Sequence, residues 1–218
     1  MYFNNDQTAQ LKDLIEKIEQ RTGIELVAAV VGKCDSYHEI PWKAFALSVV
    51  VSALAQLAIF TVKPDWTFAW GQRYVTVFIL CISAAVTLLS VYWPAFGRLF
   101  LDRVRAETEI SQYAKAFFLE RELFRTRNRT GVLLLVSLFE RRVVILPDTG
   151  ISGRLEQKAL QEVINRMIPH LRHKDRFQGL VLGLSALEAE LQKAGFGSVK
   201  KTDNELKDEI VEQKGADR

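Results

Sequence analysis

Several kinds of side chain in this sequence have types that could do chemistry, and spacing decides what each can do. His170 and His173 stand three apart in HLRH, close to Asp175, which is the beginning of a metal-ligand set. No third ligand follows at a fixed spacing, and a metal site needs the set. Cys34 and Cys81 offer neither a zinc spacing nor a disulfide framework, because Cys81 lies inside an apolar run. Ser137, in VLLLVSL, lacks the glycines of a nucleophile elbow and reads as a strand residue. Asp148 falls in the turn Pro147-Asp148-Thr149-Gly150, and Asp175 opens a helix, so they read as a turn former and an N-cap. No glycine-rich loop that could cradle phosphate appears. The sequence therefore assigns no catalytic residue, no cofactor or cofactor-binding residue and no metal ligand.

The remaining chemistry is basic. Arg121, Arg125, Arg127 and Arg129 precede one apolar run, Arg141 and Arg142 follow it, and Arg172, Lys174 and Arg176 form a second group. On a mixed-sign surface such clusters are a solvated face. Beside a membrane they suit anionic headgroups or an acidic protein partner. No aromatic-basic motif accompanies them, so nucleic acid is not expected as a partner.

The elements that must position these residues divide by charge. Of 218 residues, 49% are hydrophobic, and 29 Lys+Arg face 26 Asp+Glu. Residues 44–97 hold only three of those charges, Lys63, Asp65 and Arg73. A wholly soluble protein is excluded by that block. Residues 44–62 are uncharged, and as a helix they span about 28 Å, close to the hydrocarbon thickness. Residues 74–96 are uncharged as well and span with some tilt. Trp42 and Trp93 fall at one expected interface, Trp66 and Trp70 at the other, where indole rings prefer to sit. Six basic residues flank the pair outside (Lys33, Lys43, Arg98, Arg103, Arg105, Lys115) against two in the loop (Lys63, Arg73). By the positive-inside rule both termini are expected in the cytoplasm, with the chain in the cell (inner) membrane. The polar, acidic opening does not read as a signal peptide. Ser48, Ser52 and Gln56 recur on one face of the first span, with Ser83, Thr87 and Ser90 on the second as expected hydrogen-bond partners. Two helices with one amide make an anchor rather than a transport pathway.

Outside the hairpin, residues 6–22 predict an amphipathic helix, capped by Asn5 or Asp6 and stopped by Gly23. Residues 24–31 and 132–138 predict strands buried on both faces, and 141–146 a third strand joined to the second through Phe139-Glu140. Helices are expected over 107–124, 155–171 and 176–194. The tail from 197 to 218 is polar and expected to be disordered, apart from short helicity around 206–211. The expected organisation is a split α/β domain, 1–43 and 98–196, interrupted by the hairpin at 44–97. Each soluble part is apolar on surfaces its own elements cannot cover, so residues 27–31 should lie beside 133–136 in one sheet.

The segment LKDLIEKIEQRTGIELVAAVV resembles the opening helix and strand of the TPM domain. TGVLLLVSLFERRVVILPDTGISGRL and DRFQGLVLGLSALEAEL, with residues 164–169 between them and Tyr113-Ala114 before, resemble its second half. The resemblance implies a small sheet with helices on both sides. It also implies likeness to a thylakoid-lumen phosphatase and to bacterial membrane-associated proteins, some of which bind divalent metal. Many members have Asp-Asn before the GVLLL strand, where this chain has Arg129-Thr130. Many also have an aspartate in a Leu-Thr-Asp setting, where this chain has Leu155, Glu156 and Gln157. The implied ligand set is thus broken at two positions. A membrane-anchored, non-catalytic binding or assembly module is the expected function, and a membrane-tethered, metal-dependent phosphatase is the alternative. The membrane lipids and a protein of unknown identity are the expected partners.

Overall fold

Strands β1 (Glu25–Val31) and β2 (Gly131–Ser137) are buried at every position. Continuous apolar runs behave this way when a sheet is covered on both faces. The computed structural model describes residues 2–62, 71–173, 175–197 and 210–215, with the side chains of residues 72 and 73 left aside. The chain divides into two compact units, Met1–Asp35 with Ala106–Arg218, and Ser36–Arg105.

In the first unit, helix α1 (Asn5–Thr22) starts one residue before the sequence expectation, because Asn4 is its N-cap. The Asn4 side chain accepts from the Gln7 N–H at 2.7 Å, and the Gln7 side chain accepts in return from the Asn4 N–H at 3.2 Å. This reciprocal box satisfies two amides that the first turn would otherwise leave open. Gly23 ends the helix at φ 69°, and its N–H donates to Glu19 O. β1 and β2 pair in parallel, with Ala29 opposite Leu135 in the register expected from the sequence. β2 then turns back into β3 (Arg142–Pro147), which is antiparallel to it. Parallel pairing demands a crossover, and residues 32–130 supply it.

The sheet order is β3-β2-β1-β4. Strand β4 (Ile210–Gln213) corrects the expectation of a disordered tail with short helicity. It pairs in parallel with β1, Ala29 opposite Val211. Two β-branched residues, Ile210 and Val211, favour an extended chain, and the outer edge of β1 supplies the hydrogen-bond partners. Residues 198–209 lie outside the described part, so the helicity expected before Ile210 is not assessed.

Alternation along the strands fills two cores. Leu26, Ala28, Val30, Val132, Leu134 and Val136 pack against α1 and against α5 (Gln157–Arg172) and α6 (Arg176–Lys193). Val27, Ala29, Val31, Leu133 and Leu135 face the other way, onto Ile110, Ala114, Phe117 and Phe118 of α4 (Arg103–Glu120). Helices thus cover both faces of a small mixed sheet. Several helix bounds differ from the expectation, and α4 starts at Arg103, four residues earlier than expected. α4 ends at Glu120, and Leu123–Arg125 forms a separate 3-10 turn, because Glu122 adopts φ 52° and breaks the helix. α5 starts at Gln157, since Thr149–Ser152 is a short helix of its own capped by Asp148. α6 ends at Lys193, one residue short, and Gly195 follows at φ 84°.

The second unit contains α2 (Glu39–Val62) and α3 (Gln72–Tyr92), which pack on each other. Both are long and apolar enough to cross a membrane. Val50, Val51, Leu54 and Leu57 on α2, with Val77, Phe78, Leu80 and Leu88 on α3, are exposed. The second apolar stretch ends at Tyr92 rather than 96. Trp93 is extended, as the residue before a proline tends to be, and Pro94 starts the short helix Pro94–Gly97. Ser83 and Ser90 are buried between otherwise exposed neighbours. The hydroxyls of Ser48, Thr87 and Ser90 donate to carbonyls of their own helices, Phe45, Ser83 and Thr87. They are thereby satisfied locally rather than by the cross-helix partners expected from the sequence. Trp66 and Trp70 lie outside the described residues.

Candidate functional site

Two polar clusters sit at opposite ends of the paired strands in the first unit. At the start of β2, residues 126–130 form a loop held against the turn after β3. The buried Thr126 hydroxyl accepts from the Thr130 N–H at 2.9 Å, and the Gly150 N–H donates to Arg129 O at 3.0 Å. A Cβ on Gly150 would lie 2.3 Å from Asn128 O and 2.7 Å from Arg129 O, so only glycine permits this approach. Arg129 itself adopts φ 55°, a left-handed conformation uncommon outside glycine.

That backbone aims the Arg129 side chain at Asp148. Its Nε lies 3.2 Å from Asp148 Oδ2, and an Nη1 hydrogen bond of 3.2 Å reaches Phe124 O. The guanidinium also stands 5.6 Å from the Phe124 ring centre. Asp148 is buried, and its Oδ1 accepts from the Thr149 N–H at 2.7 Å while Oδ2 accepts no hydrogen bond. The ion pair with Arg129 is therefore what balances the second oxygen. Because Arg129 is half exposed, its loss costs less than the removal of one member of a fully buried pair, about 3–5 kcal/mol.

Glu156 and Gln157 are exposed at the start of α5, and Glu156, its N-cap residue, makes no side-chain cap bond. A hard divalent cation takes six or so oxygen ligands. Here the buried carboxylate already faces a cation belonging to the chain. The donor set does not fit a divalent ion. Among the described residues, no group of three or more His, Cys, Asp and Glu is arranged to hold a metal.

The second cluster lies where β1 and β2 end. Glu140 is buried in the turn between β2 and β3, and its Oε1 accepts from the Cys34 N–H at 2.9 Å. The Ser137 hydroxyl donates to the other oxygen, Oε2. Burial first, then the Glu140 charge, pushes the Cys34 thiol up to about 12. A thiol that stays protonated is a poor nucleophile. Tyr113 donates its hydroxyl to Gln213 Oε1 at 2.7 Å, and burial raises its ionisation above the ordinary range. Sequence reasoning placed Ser137 as a structural residue but missed its link to Glu140 and Cys34. Glu140 stands in a Phe-Glu-Arg-Arg turn that looks solvent-facing, and only the β1–β2 pairing brings Cys34 beside it. These bonds tie the hairpin to the end of β1.

The other sequence candidates separate. His170 is half-buried in the last turn of α5, and its carbonyl accepts from the Asp175 N–H at 3.0 Å. His173 caps α5, while the Asp175 side chain accepts from the Gln178 N–H and caps α6. The HLRH pair is thus part of a helix–turn–helix connection. The basic groups largely have internal uses. Arg125 pairs with Glu122 at 2.5 Å, Arg142 with Glu107 at 2.8 Å, and Arg121 and Arg176 lie over the rings of Phe117 and Tyr2. Lys174 lies outside the described residues.

Residues 99–190 match the family model of the TPM domain. This segment is similar to the TPM domain. The matched segment begins after the apolar pair, and β1 joins the same sheet by pairing with β2. The fold of the chain is similar to that of the BA42 protein from the psychrophilic bacterium Bizionia argentinensis, solved by NMR. The TM-score is 0.58 at 15% identity, over 97% of this chain and 96% of that one, so the likeness is one of fold. A search of curated proteins finds no match.

Proposed function

We propose that this chain is a TPM domain anchored in the cell (inner) membrane by α2 and α3, with both termini cytoplasmic, serving as a non-catalytic binding or assembly module. The Arg129–Asp148 ion pair carries the non-catalytic part of this reading. Where the resemblance calls for a carboxylate beside GVLLL, a guanidinium neutralises the buried Asp148 instead. Gln157, neutral and exposed, stands at the second such position. A divalent ion beside Arg129 would meet Coulomb repulsion that neighbouring neutral groups cannot offset. The anchor is supported by two helices whose large apolar side chains are exposed along their length, unlike the core helices of a soluble domain.

The test is metal binding and turnover by the full chain in detergent. Calorimetry with calcium and magnesium should give no binding, and a generic phosphate ester should not be hydrolysed. The double substitution Arg129→Asp with Gln157→Asp should raise metal affinity by restoring two oxygen donors. Tight metal binding together with turnover by the unmodified chain would sink the non-enzyme reading and leave the tethered phosphatase in its place.

A further inference from the structure

The end of the apolar pair that leads to the chain termini carries a collar of alternating large apolar and cationic residues. Trp42 is 74% exposed, Trp93 56%, Leu99 76% and Val104 73%. Lys43 follows Trp42, Arg98 precedes Leu99, and Arg103 and Arg105 bracket Val104. The collar has a fixed backbone. Gly97 turns back so closely that a Cβ there would lie 2.6 Å from Ser90 O and 3.8 Å from the Ile40 side chain. Phe96 and Phe100 pack edge to face at 5.5 Å, and the Lys43 amine reaches Phe100 O at 3.5 Å.

The acidic residues of this region are engaged within it, and Asp102 also feels the Lys43 charge. Glu39 pairs with Arg105 at 3.1 Å, and Asp102 accepts from the N–H groups of Val104 and Arg105. Lys43 and Arg103 make no ion pair among the described residues, and both are exposed. Exposed apolar rings and chains next to exposed cations match a bilayer interface, where the apolar groups enter the acyl boundary and ammonium and guanidinium groups meet phosphate. A protein partner would need a shaped apolar recess, whereas these groups ring the end of two apolar helices.

From this arrangement we infer that the collar formed by Trp42, Lys43, Trp93, Leu99, Arg103 and Val104 binds anionic phospholipid headgroups of the leaflet facing the termini. The inference rests on the membrane-spanning reading of α2 and α3. It adds a lipid preference to what would otherwise be a passive anchor.

The full chain in a mild nonionic detergent can be offered phosphatidylglycerol or phosphatidylcholine of matched acyl chains, with retained lipid counted by native mass spectrometry. Phosphatidylglycerol should be retained about tenfold more, since each cation near an anionic surface adds to the attraction. Lys43→Gln with Arg103→Gln should bring the ratio close to one, while the charge-preserving pair Lys43→Arg with Arg103→Lys keeps it. Lys158→Gln with Arg166→Gln, exposed on α5, should leave it unchanged. Equal retention of the two lipids by the unmodified chain overturns the proposal, as does an unchanged ratio in the Gln pair. Displacement of the lipid by inorganic phosphate at equal concentration overturns it in favour of a free-anion site. Carbonate extraction of membranes separates this inference from the reading beneath it. Release of the unmodified chain would defeat the spanning reading, whereas a retained chain without lipid preference would defeat the collar alone.

Discussion

Arg129 and Cys34 are the single side chains on which the local electrostatics of the two clusters turn. Arg129 supplies the positive charge that Asp148 needs, from a left-handed backbone that Gly150 alone permits its neighbour strand to approach. The change of charge at position 129 was legible in the sequence, because arginine stands immediately before the Thr130-Gly131 step into the strand. Its partner was not, since Asp148 reads equally well as a turn former until β2 and β3 are paired. Cys34 has a pH signature with a definite sign. Its thiol ionises near 9.0 in an open chain and is pushed up to about 12 in the fold, mainly by burial. Below the lower value both states hold the proton, and stability is unaffected. Above it the unfolded chain releases a proton that the folded chain keeps, so stability falls by about 1.4 kcal/mol per pH unit until the folded thiol also ionises. Urea unfolding of the soluble unit, followed in the full chain at about pH 7 and about pH 10, should show a loss in the unmodified protein exceeding that of Cys34→Ala by about 1.4 kcal/mol. Equal losses in the two proteins would mean that the thiol is not buried as described.

At the scale of elements, β1, β2 and β3 announce themselves by composition, and β4 does not. Runs such as LVAAVV and VLLLVS suit covered strands, and their adjacency follows because neither soluble part closes a core alone, while the parallel sense of the pairing is seen only in the structure. β4 has four residues after a charged polar stretch, so no period can be read from it. Its place is fixed by distant contacts. Tyr113 reaches Gln213, the Gly32 N–H donates to Gln213 O at 2.9 Å, and the Tyr2 N–H donates to Glu212. Val211 is buried with Val27, Ala29 and Ile110. Substituting Val211→Asp would put an unpaired carboxylate into that core and should destabilise the soluble unit by about 2–4 kcal/mol. Removing β4 altogether should cost a comparable amount and expose the edge of β1, with self-association as the visible consequence. Both effects are read from the urea midpoint and from light scattering of the full chain in detergent. An unmoved midpoint in Val211→Asp would remove β4 from the sheet.

The whole molecule combines a four-stranded α/β unit, in which residues 99–190 match the TPM domain, with an apolar helix pair that lies between β1 and β2 in the chain. Length and lack of charge made the pair legible, and the exposed Leu, Val and Phe side chains along both helices agree with that reading. The loop tryptophans that supported it fall among residues 63–70, outside the described structure. Orientation is a matter of charge. Under the proposed spanning, an even number of crossings returns the chain to the side it left, which gives residues 1–38 and 98–218 the same side of the bilayer. Six basic residues flank the pair outside against two in the loop, so the proposed topology, following the positive-inside rule, has the flanks in the cytoplasm. In a Cys34→Ala, Cys81→Ser background, one cysteine can be introduced at a time, Thr67→Cys in the loop or Lys12→Cys on the exposed side of α1. Right-side-out vesicles treated with a membrane-impermeant maleimide should label Thr67→Cys at once and Lys12→Cys only after permeabilisation. The opposite order would invert the topology and move the domain, with its proposed partner, to the other face. Immediate labelling at both positions would show that the helices do not span, because a spanning pair cannot expose the loop and the termini to the same compartment.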